Sequence, residues 1–93
     1  MDMGLKGRVA IVAASSLGIG RATAEAFAAE GCKVAMCARN SAALTEAAEK
    51  IKKQYSAEVF HQTLDVTDAQ AVHDFVGEVV TKFGAADICV TNA

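Results

Sequence analysis

The sequence has 93 residues, of which 53% are hydrophobic and 22% charged, and its formal net charge is −2. This length excludes more than one small domain, and the composition excludes an intrinsically disordered chain. The slightly acidic balance offers no positive field for nucleic acid or an anionic membrane, and no apolar run approaches the ~20 residues of a membrane span. The first residues lack the long apolar core of a secretory signal, so we expect a cytoplasmic protein.

Four short apolar segments predict four strands. Residues 8–13 and 33–38 are continuously apolar, which is typical of strands covered on both faces of a parallel sheet. Residues 58–65 alternate between apolar and polar side chains, which predicts a strand at an exposed edge. Residues 87–91 are again apolar and complete the set.

The segments between these strands follow a helical period. The first helix has a predicted apolar stripe and a stop at Gly31; the stripe consists of Ile19, Ala22, Thr23, Ala26 and Phe27. The second helix, with Asn40 or Ser41 as its cap, has the stripe Leu44, Ala48, Ile51 and Tyr55. The third has Thr67 and Gln70 at capping-box spacing and ends at Gly84; its stripe is Val72, Phe75, Val76, Val79, Val80 and Phe83.

The order β-α-β-α-β-α-β predicts an α/β fold with right-handed crossovers and a parallel sheet. Two strand orders are compatible with it. A Rossmann-type half has the order 3-2-1-4, with a ligand crevice between the first and fourth strands. A flavodoxin-like order places the third strand beside the first. The apolar pattern alone does not choose between them.

The turn after the first strand, "AASSLGIG" at residues 13–20, is made of small residues. Gly18 and Gly20 allow backbone N–H groups at a helix start to face a pyrophosphate. Ala14 stands four residues before Gly18, where a dinucleotide fingerprint has its first glycine, and we predict that Ala14 keeps a negative φ. The alternative is a plain strand-to-helix turn whose glycines serve close packing.

Four ordered motifs resemble the short-chain dehydrogenase/reductase superfamily, in its compact single-domain branch. They are Ala14-x-x-x-Gly18-x-Gly20, "CARN" after the second strand, "LDVTD" at the end of the third and "VTNA" at the end of the fourth. The chain departs from the family pattern where Ala13 and Ala14 replace threonine and glycine, and where Thr91 replaces an asparagine. The resemblance implies a Rossmann-type parallel sheet, βαβαβαβ with strand order 3-2-1-4, as a partial doubly wound fold.

The end of the second strand bears on the choice of cofactor. An acidic residue there would bind the ribose 2′-hydroxyl, but this chain has Ala38, followed by Arg39, whose guanidinium suits a 2′-phosphate. NADP(H) is therefore favoured over NAD(H). The second basic residue that the resemblance leads one to seek, just before Gly18, is replaced by Leu17.

The resemblance also implies further cofactor contacts. Asp65 would accept a hydrogen bond from the adenine amino group while Val66 lines the ring, although Asp65 could instead be a turn residue ahead of Thr67. Asn92 would tie the fourth strand to its neighbours and border the adenosine ribose. Backbone groups and small contacts around the pyrophosphate would come from Ser16, Leu17 and Ile19.

No catalytic residue can be assigned. The resemblance implies a tyrosine with a lysine four positions later, together with a serine and an asparagine, but the one tyrosine is Tyr55 and Val59 lies four positions on. We therefore expect residues 1–93 to be the N-terminal, adenosine-side half of an NADP(H)-dependent oxidoreductase, inactive alone because the catalytic half is absent. The alternative is a non-catalytic nucleotide-binding half-domain that acts in an assembly. Ala38 and Arg39 disfavour a methyltransferase, which would need an acidic residue there.

Two further expectations concern packing. Cys32, Cys37 and Cys89 lie in or beside apolar strands and are predicted to be buried small hydrophobic residues, with no disulfide framework or metal site. The fourth strand is apolar enough for the interior of a sheet but would form its edge. We therefore expect self-association through that edge and the uncovered face of the sheet.

Overall fold

The computed structural model describes residues 4–14 and 17–92, without the side chains of Leu17 and Asn92. Strands and helices alternate along this part of the chain, as the sequence predicts. The elements are β1 Val9–Ala14, α1 Leu17–Ala29, β2 Lys33–Ala38, α2 Ser41–Tyr55, β3 Val59–Thr63, α3 Ala69–Phe83 and β4 Ile88–Asn92.

The four strands form one parallel sheet in the order β3-β2-β1-β4. β1 pairs with β2 on one side and with β4 on the other, and β3 joins the free side of β2. This order confirms the Rossmann-type prediction and excludes the flavodoxin-like alternative. Because all four strands run in the same direction, their carboxyl ends meet at one edge of the sheet, where the residues that follow them can form a common site.

The core has two layers because successive side chains of a strand point to opposite faces of the sheet. Ala10 and Val12 pack with buried residues of α1 and α2 on one face. Val9 and Ile11 pack on the other face, where Phe75 and Val79 of α3 are fully buried. The first two crossover helices therefore cover one face, and the third covers the other.

The buried face of α1 differs from the predicted one. α1 buries Gly20, Ala24 and Ala28, whereas Ile19 of the predicted stripe is 61% exposed and Ala22 is exposed. Phe27 of that stripe does pack against the core. The prediction was wrong for Ile19 and Ala22, because an alanine-rich helix has little contrast between large apolar and polar side chains. The small residues at a spacing of four let the helix approach the sheet closely.

The start of α3 also differs from the prediction. Asp68, rather than Thr67, caps the helix: its side chain accepts hydrogen bonds from the backbone N–H groups of Gln70 and Ala71, both at 3.1 Å. The predicted end is confirmed, since Gly84 has φ 84° and donates its N–H to the Val80 carbonyl. Of the two caps proposed for α2, Asn40 is the observed one, and it accepts from the N–H of Ala43.

β4 is held to β1 by a side chain placed just before it. Asp87 Oδ2 accepts the Val9 N–H at 2.8 Å, and the Asp87 N–H donates to the Val9 carbonyl at 3.0 Å. Arg8 adds an ion pair at 3.5 Å. Within residues 4–14 and 17–92, no strand pairs with the outer edge of β4. None of the helices in the described part of the chain combines the length and apolar character needed to cross a membrane.

The three cysteines are free thiols in different surroundings. Cys32 and Cys37 are buried, as predicted, and burial raises the pKa of both, that of Cys37 to about 11. Cys89 is exposed, so its predicted burial was wrong. It lies on β4, which has β1 as its only strand neighbour among the described residues.

These differences predict selective alkylation. Because the thiolate is the nucleophile, iodoacetamide at pH 8 should modify Cys89 at least about ten-fold faster than Cys37. Peptide mass spectrometry after a time course measures the two rates. A Cys89→Ser variant should lose the fast adduct, and all three thiols of the denatured wild-type chain should react at similar rates. Equal rates for Cys37 and Cys89 in the native chain would show that this packing is wrong.

Candidate functional site

The candidate site lies at the carboxyl edge of the sheet, where the chain changes direction between β1 and β4. The first two crossovers lead from β1 to β2 and β3, whereas β4 lies on the other side of β1. In an open α/β sheet, ligands bind in the crevice that such a reversal creates. The register places Ala14 beside Asn92 at this point, so the ends of the two strands border the crevice together.

Ala14 and Gly20 are in close contact across the turn. A Cβ added to Gly20 would clash with the Ala14 Cβ. Ala14 lies in extended strand, and Ser56 is the non-glycine residue with a positive φ among the residues that the structure describes. The predicted negative φ of Ala14 is therefore confirmed, and the Ala14 side chain packs against the helix at Gly20.

The first turn of α1 combines small residues with an absence of negative charge. It contains Gly18, Ile19 and Gly20 and carries no acidic side chain. Ile19 is 61% exposed. Ser16 lies outside the described residues, as does the side chain of Leu17, so the pyrophosphate contacts expected of them stay predictions.

A second guanidinium lies near this turn and was not singled out from the sequence. Arg21 lines a cavity of about 240 Å³ between α1 and α2, together with Gly18, Ala43, Glu46 and Ala47. Arg21 is also 4.0 Å from Glu25 in a long ion pair. The sequence signal that could have identified Arg21 is its position one residue after Gly20, because this position places its side chain in the first turns of α1.

Arg39 and Asp65, predicted as separate cofactor contacts, are paired in the structure. Arg39 Nη2 donates to Asp65 Oδ2 at 2.9 Å. Each residue follows one of two adjacent strands, and the Leu64 N–H bonds to the Ala38 carbonyl at 2.9 Å, which extends the pairing of β2 and β3 to this point. The pair therefore lies at the carboxyl edge of the sheet.

Asp65 is fixed by a second set of hydrogen bonds. Its Oδ1 accepts from the Thr67 backbone N–H at 2.9 Å and from the Thr67 hydroxyl at 2.7 Å. Arg39 first, and Thr67 second, hold the pKa of the Asp65 carboxyl well below its ordinary value of 3.8. The same pairing raises the pKa of Arg39. Both groups are thus charged at neutral pH. Asp65 forms a turn with Thr67, which is the alternative role, besides a contact with adenine, that the sequence predicts for it.

The remaining predicted contacts border this region. Val66 is half-buried and packs against the core on the α3 face. Asn92 ends β4 beside Ala14, and its side chain is not among the described parts of the structure. The roles of Val66 and Asn92 toward adenosine stay predictions, as does the adenine contact of Asp65.

Comparison with known proteins decides the family. A family model described as short chain dehydrogenase matches residues 8–93. The chain belongs to the short-chain dehydrogenase family. This membership confirms the resemblance drawn from the four sequence motifs, and the Rossmann-type sheet of this family member agrees with it.

Individual solved structures and curated relatives agree with the assignment of this chain to the short-chain dehydrogenase family. L-Sorbose reductase from Gluconobacter frateurii, crystallised with NADPH and L-sorbose, is 43% identical with a TM-score of 0.92 over 100% of this chain and 35% of that one. An uncharacterized oxidoreductase of Staphylococcus saprophyticus is 37% identical over 96% of this chain and 38% of its own length. Human 15-hydroxyprostaglandin dehydrogenase, whose name specifies NAD(+), is 39% identical over 98% and 35%. The chain thus spans about a third of the length of the curated relatives it matches.

Proposed function

We propose that this chain binds the adenosine side of NADP(H) for an oxidoreductase that transfers hydride between the nicotinamide and a carbonyl or alcohol substrate. The position of Arg39 carries the proposal. Arg39 follows β2 directly, its side chain is 67% exposed, and this strand end is where a Rossmann-type site meets the ribose 2′ position. The sorbose reductase crystallised with NADPH supports this choice, whereas the NAD(+) in the name of the human relative keeps NAD(H) as the competing cofactor.

The first turn of α1 fits the pyrophosphate part of the same ligand. The helix has 13 residues, its first turn has no carboxylate to repel an anion, and Gly18 and Gly20 add no bulk there. Backbone N–H groups at such a helix start favour phosphate oxygens. The Ala14 side chain packs against Gly20, and both residues are buried.

The residues of this chain bind and orient the cofactor and do not carry the proton transfer. When bound, the nicotinamide supplies or accepts the hydride. Tyr55, the one tyrosine of the sequence, packs against the core on the α1–α2 face, and the residue four positions later is Val59. We therefore expect no turnover of carbonyl substrates by these 93 residues alone. A cytoplasmic location belongs to the same proposal.

The proposed role of Arg39 predicts a selective loss of affinity in an Arg39→Ala variant. NADPH affinity should fall about ten-fold, because a charge-assisted contact to the 2′-phosphate is removed, whereas NADH affinity should change little. Isothermal titration of the chain with both cofactors measures this. Tighter binding of NADH than of NADPH by the wild-type chain, or an equal loss for both in the variant, would contradict the proposal.

Lys53→Ala is the matched control for this experiment. It removes the same charge from an exposed side chain in the last turn of α2, about 18 Å from the start of that helix. The control should therefore leave both affinities unchanged. A similar loss in both variants would mean that the net charge of the chain, rather than a contact of Arg39, determines the preference.

A non-catalytic nucleotide-binding half-domain in an assembly is the second candidate. The outer edge of β4 favours it, since it has no strand partner in the described part of the chain and carries the exposed Cys89. Association through this edge would slow the alkylation of Cys89 as protein concentration rises, and sedimentation velocity would show the larger species. An alkylation rate that is independent of concentration, with a monomer throughout, would refute association through β4.

A further inference from the structure

We propose that Asp65 is a positioning residue for Arg39: its carboxylate orients the guanidinium to receive a 2′-phosphate and thereby strengthens the preference for phosphorylated dinucleotides. The proposal is based on the 2.9 Å hydrogen bond from Arg39 Nη2 to Asp65 Oδ2. This inference rests on the proposed function of Arg39. It adds a residue that acts on selectivity through the arginine, in addition to any contact with the adenine ring.

Asp65 is held firmly enough to serve as an anchor. Its other oxygen, Oδ1, accepts two hydrogen bonds from Thr67, one from the backbone and one from the hydroxyl. Leu64, immediately before it, is buried and bonds through its N–H to the Ala38 carbonyl. The carboxylate is thus fixed from both sides along the chain, and it cannot turn away from Arg39 without breaking the bonds to Thr67.

The ion pair leaves most of the guanidinium available. A guanidinium has five N–H donors, and the contact to Asp65 occupies Nη2 in a single hydrogen bond. The remaining donors can bind phosphate oxygens while the pair persists. Because 67% of the Arg39 side chain is exposed, the side chain would be freely mobile without Asp65. Ordering it before the ligand arrives reduces the entropy lost on binding.

Asp65 also carries a negative charge that repels a 2′-phosphate. This repulsion opposes the gain in affinity that comes from ordering Arg39. The two anions would lie on different sides of the guanidinium in an exposed site, where salt screens their repulsion. The cost of ordering a flexible side chain is not screened in this way. We therefore expect positioning to outweigh repulsion at physiological ionic strength.

The test is an Asp65→Asn variant studied by isothermal titration. The measured quantity is the dissociation constant of NADH divided by that of NADPH, a ratio that is above one when NADPH is preferred. Asparagine keeps the size of the side chain and an acceptor for Thr67 but loses the charge that holds Arg39. The ratio should fall about three- to ten-fold toward one, the effect of immobilising one flexible side chain. A loss of adenine contact alone would weaken both cofactors equally. An unchanged ratio, or a ratio that rises because repulsion dominates, would overturn the inference.

The Arg39→Ala background separates this inference from the proposed function. In that background Asp65→Asn should leave the ratio unchanged, because there is no guanidinium to position. If wild type has no preference for NADPH, or Arg39→Ala does not remove it, the proposed function fails. If Arg39→Ala removes the preference but Asp65→Asn does not reduce it, only the inference on Asp65 fails.

Thr67 provides a second variant and a readout that needs no cofactor. Thr67→Val removes the hydroxyl bond to Asp65 and should lower the ratio in the same direction, whereas Thr67→Ser keeps a hydroxyl and should not. The ¹⁵N relaxation of Arg39 Nε should show a more mobile side chain in Thr67→Val and in Asp65→Asn than in wild type. Unchanged mobility in both variants would overturn the positioning role even if one of them bound cofactor poorly.

Discussion

Replacement of Phe75 by alanine is expected to lower the free energy of unfolding by about 3–5 kcal/mol. Phe75 has no exposed surface and is the largest fully buried side chain in the described part of the chain. It stacks on Phe60 of β3 with ring centroids 5.5 Å apart. Since Phe75 and Val79 are the fully buried residues of α3, this truncation removes much of what holds the helix to the sheet. Urea unfolding followed by circular dichroism measures the loss.

Val80→Ala on the same helix is the control for this prediction. Val80 is 43% exposed and lies at the margin of the buried stripe, so its truncation should cost less than about 1 kcal/mol. A similar loss in the two variants would mean that α3 is not anchored through Phe75. Both substitutions truncate an apolar side chain of α3 to alanine, so the comparison keeps the helix and the type of substitution the same.

The faces of α2 and α3 could be predicted because large apolar side chains alternate there with charged ones. Leu44 and Ile51 are buried as predicted, and so are Phe75 and Val79, whereas Val80 of the predicted stripe is 43% exposed. The sheet order followed from the loop motifs, since the apolar strands fit two topologies equally well. The face of α1 could not be read in this way, because Ala24 and Ala28 are buried while the larger Ile19 is exposed.

The sequence predicted individual residues of the candidate site but not the contacts between them. The sequence singled out Arg39 and Asp65 for different parts of the ligand, 26 positions apart. Their contact depends on the pairing of β2 with β3, which places Ala38 opposite Thr63. If the register of β3 against β2 were shifted by one residue, the side chains near the end of β3 would point to the opposite face of the sheet. Local sequence patterns do not fix such a register. Thr67 was assigned as a helix cap, whereas it bonds to Asp65, two residues earlier, in a local turn before the helix.

Gly20→Ala is expected to destabilise the chain by about 1–3 kcal/mol, although alanine is normally the better helix residue. The new methyl group would clash with the Ala14 Cβ on the buried side of α1. Gly77→Ala is the matched control: Gly77 lies within α3, and an added Cβ has no neighbour within 4 Å. The control should stabilise the chain by up to about 1 kcal/mol. Thermal and urea unfolding of both variants measure these opposite signs.

A double variant tests whether the clash with Ala14 is the cause. Ala14→Gly alone should cost about 0.5–1 kcal/mol, because glycine weakens a strand. It should nevertheless recover much of the loss in Gly20→Ala, since it removes the opposing methyl group, and the two changes should couple by about 1–2 kcal/mol. Gly20→Ala should also weaken NADPH and NADH to the same extent, because both share the pyrophosphate that the start of α1 is proposed to bind. Additive losses in the double variant would show that Gly20 is needed for a reason other than its contact with Ala14.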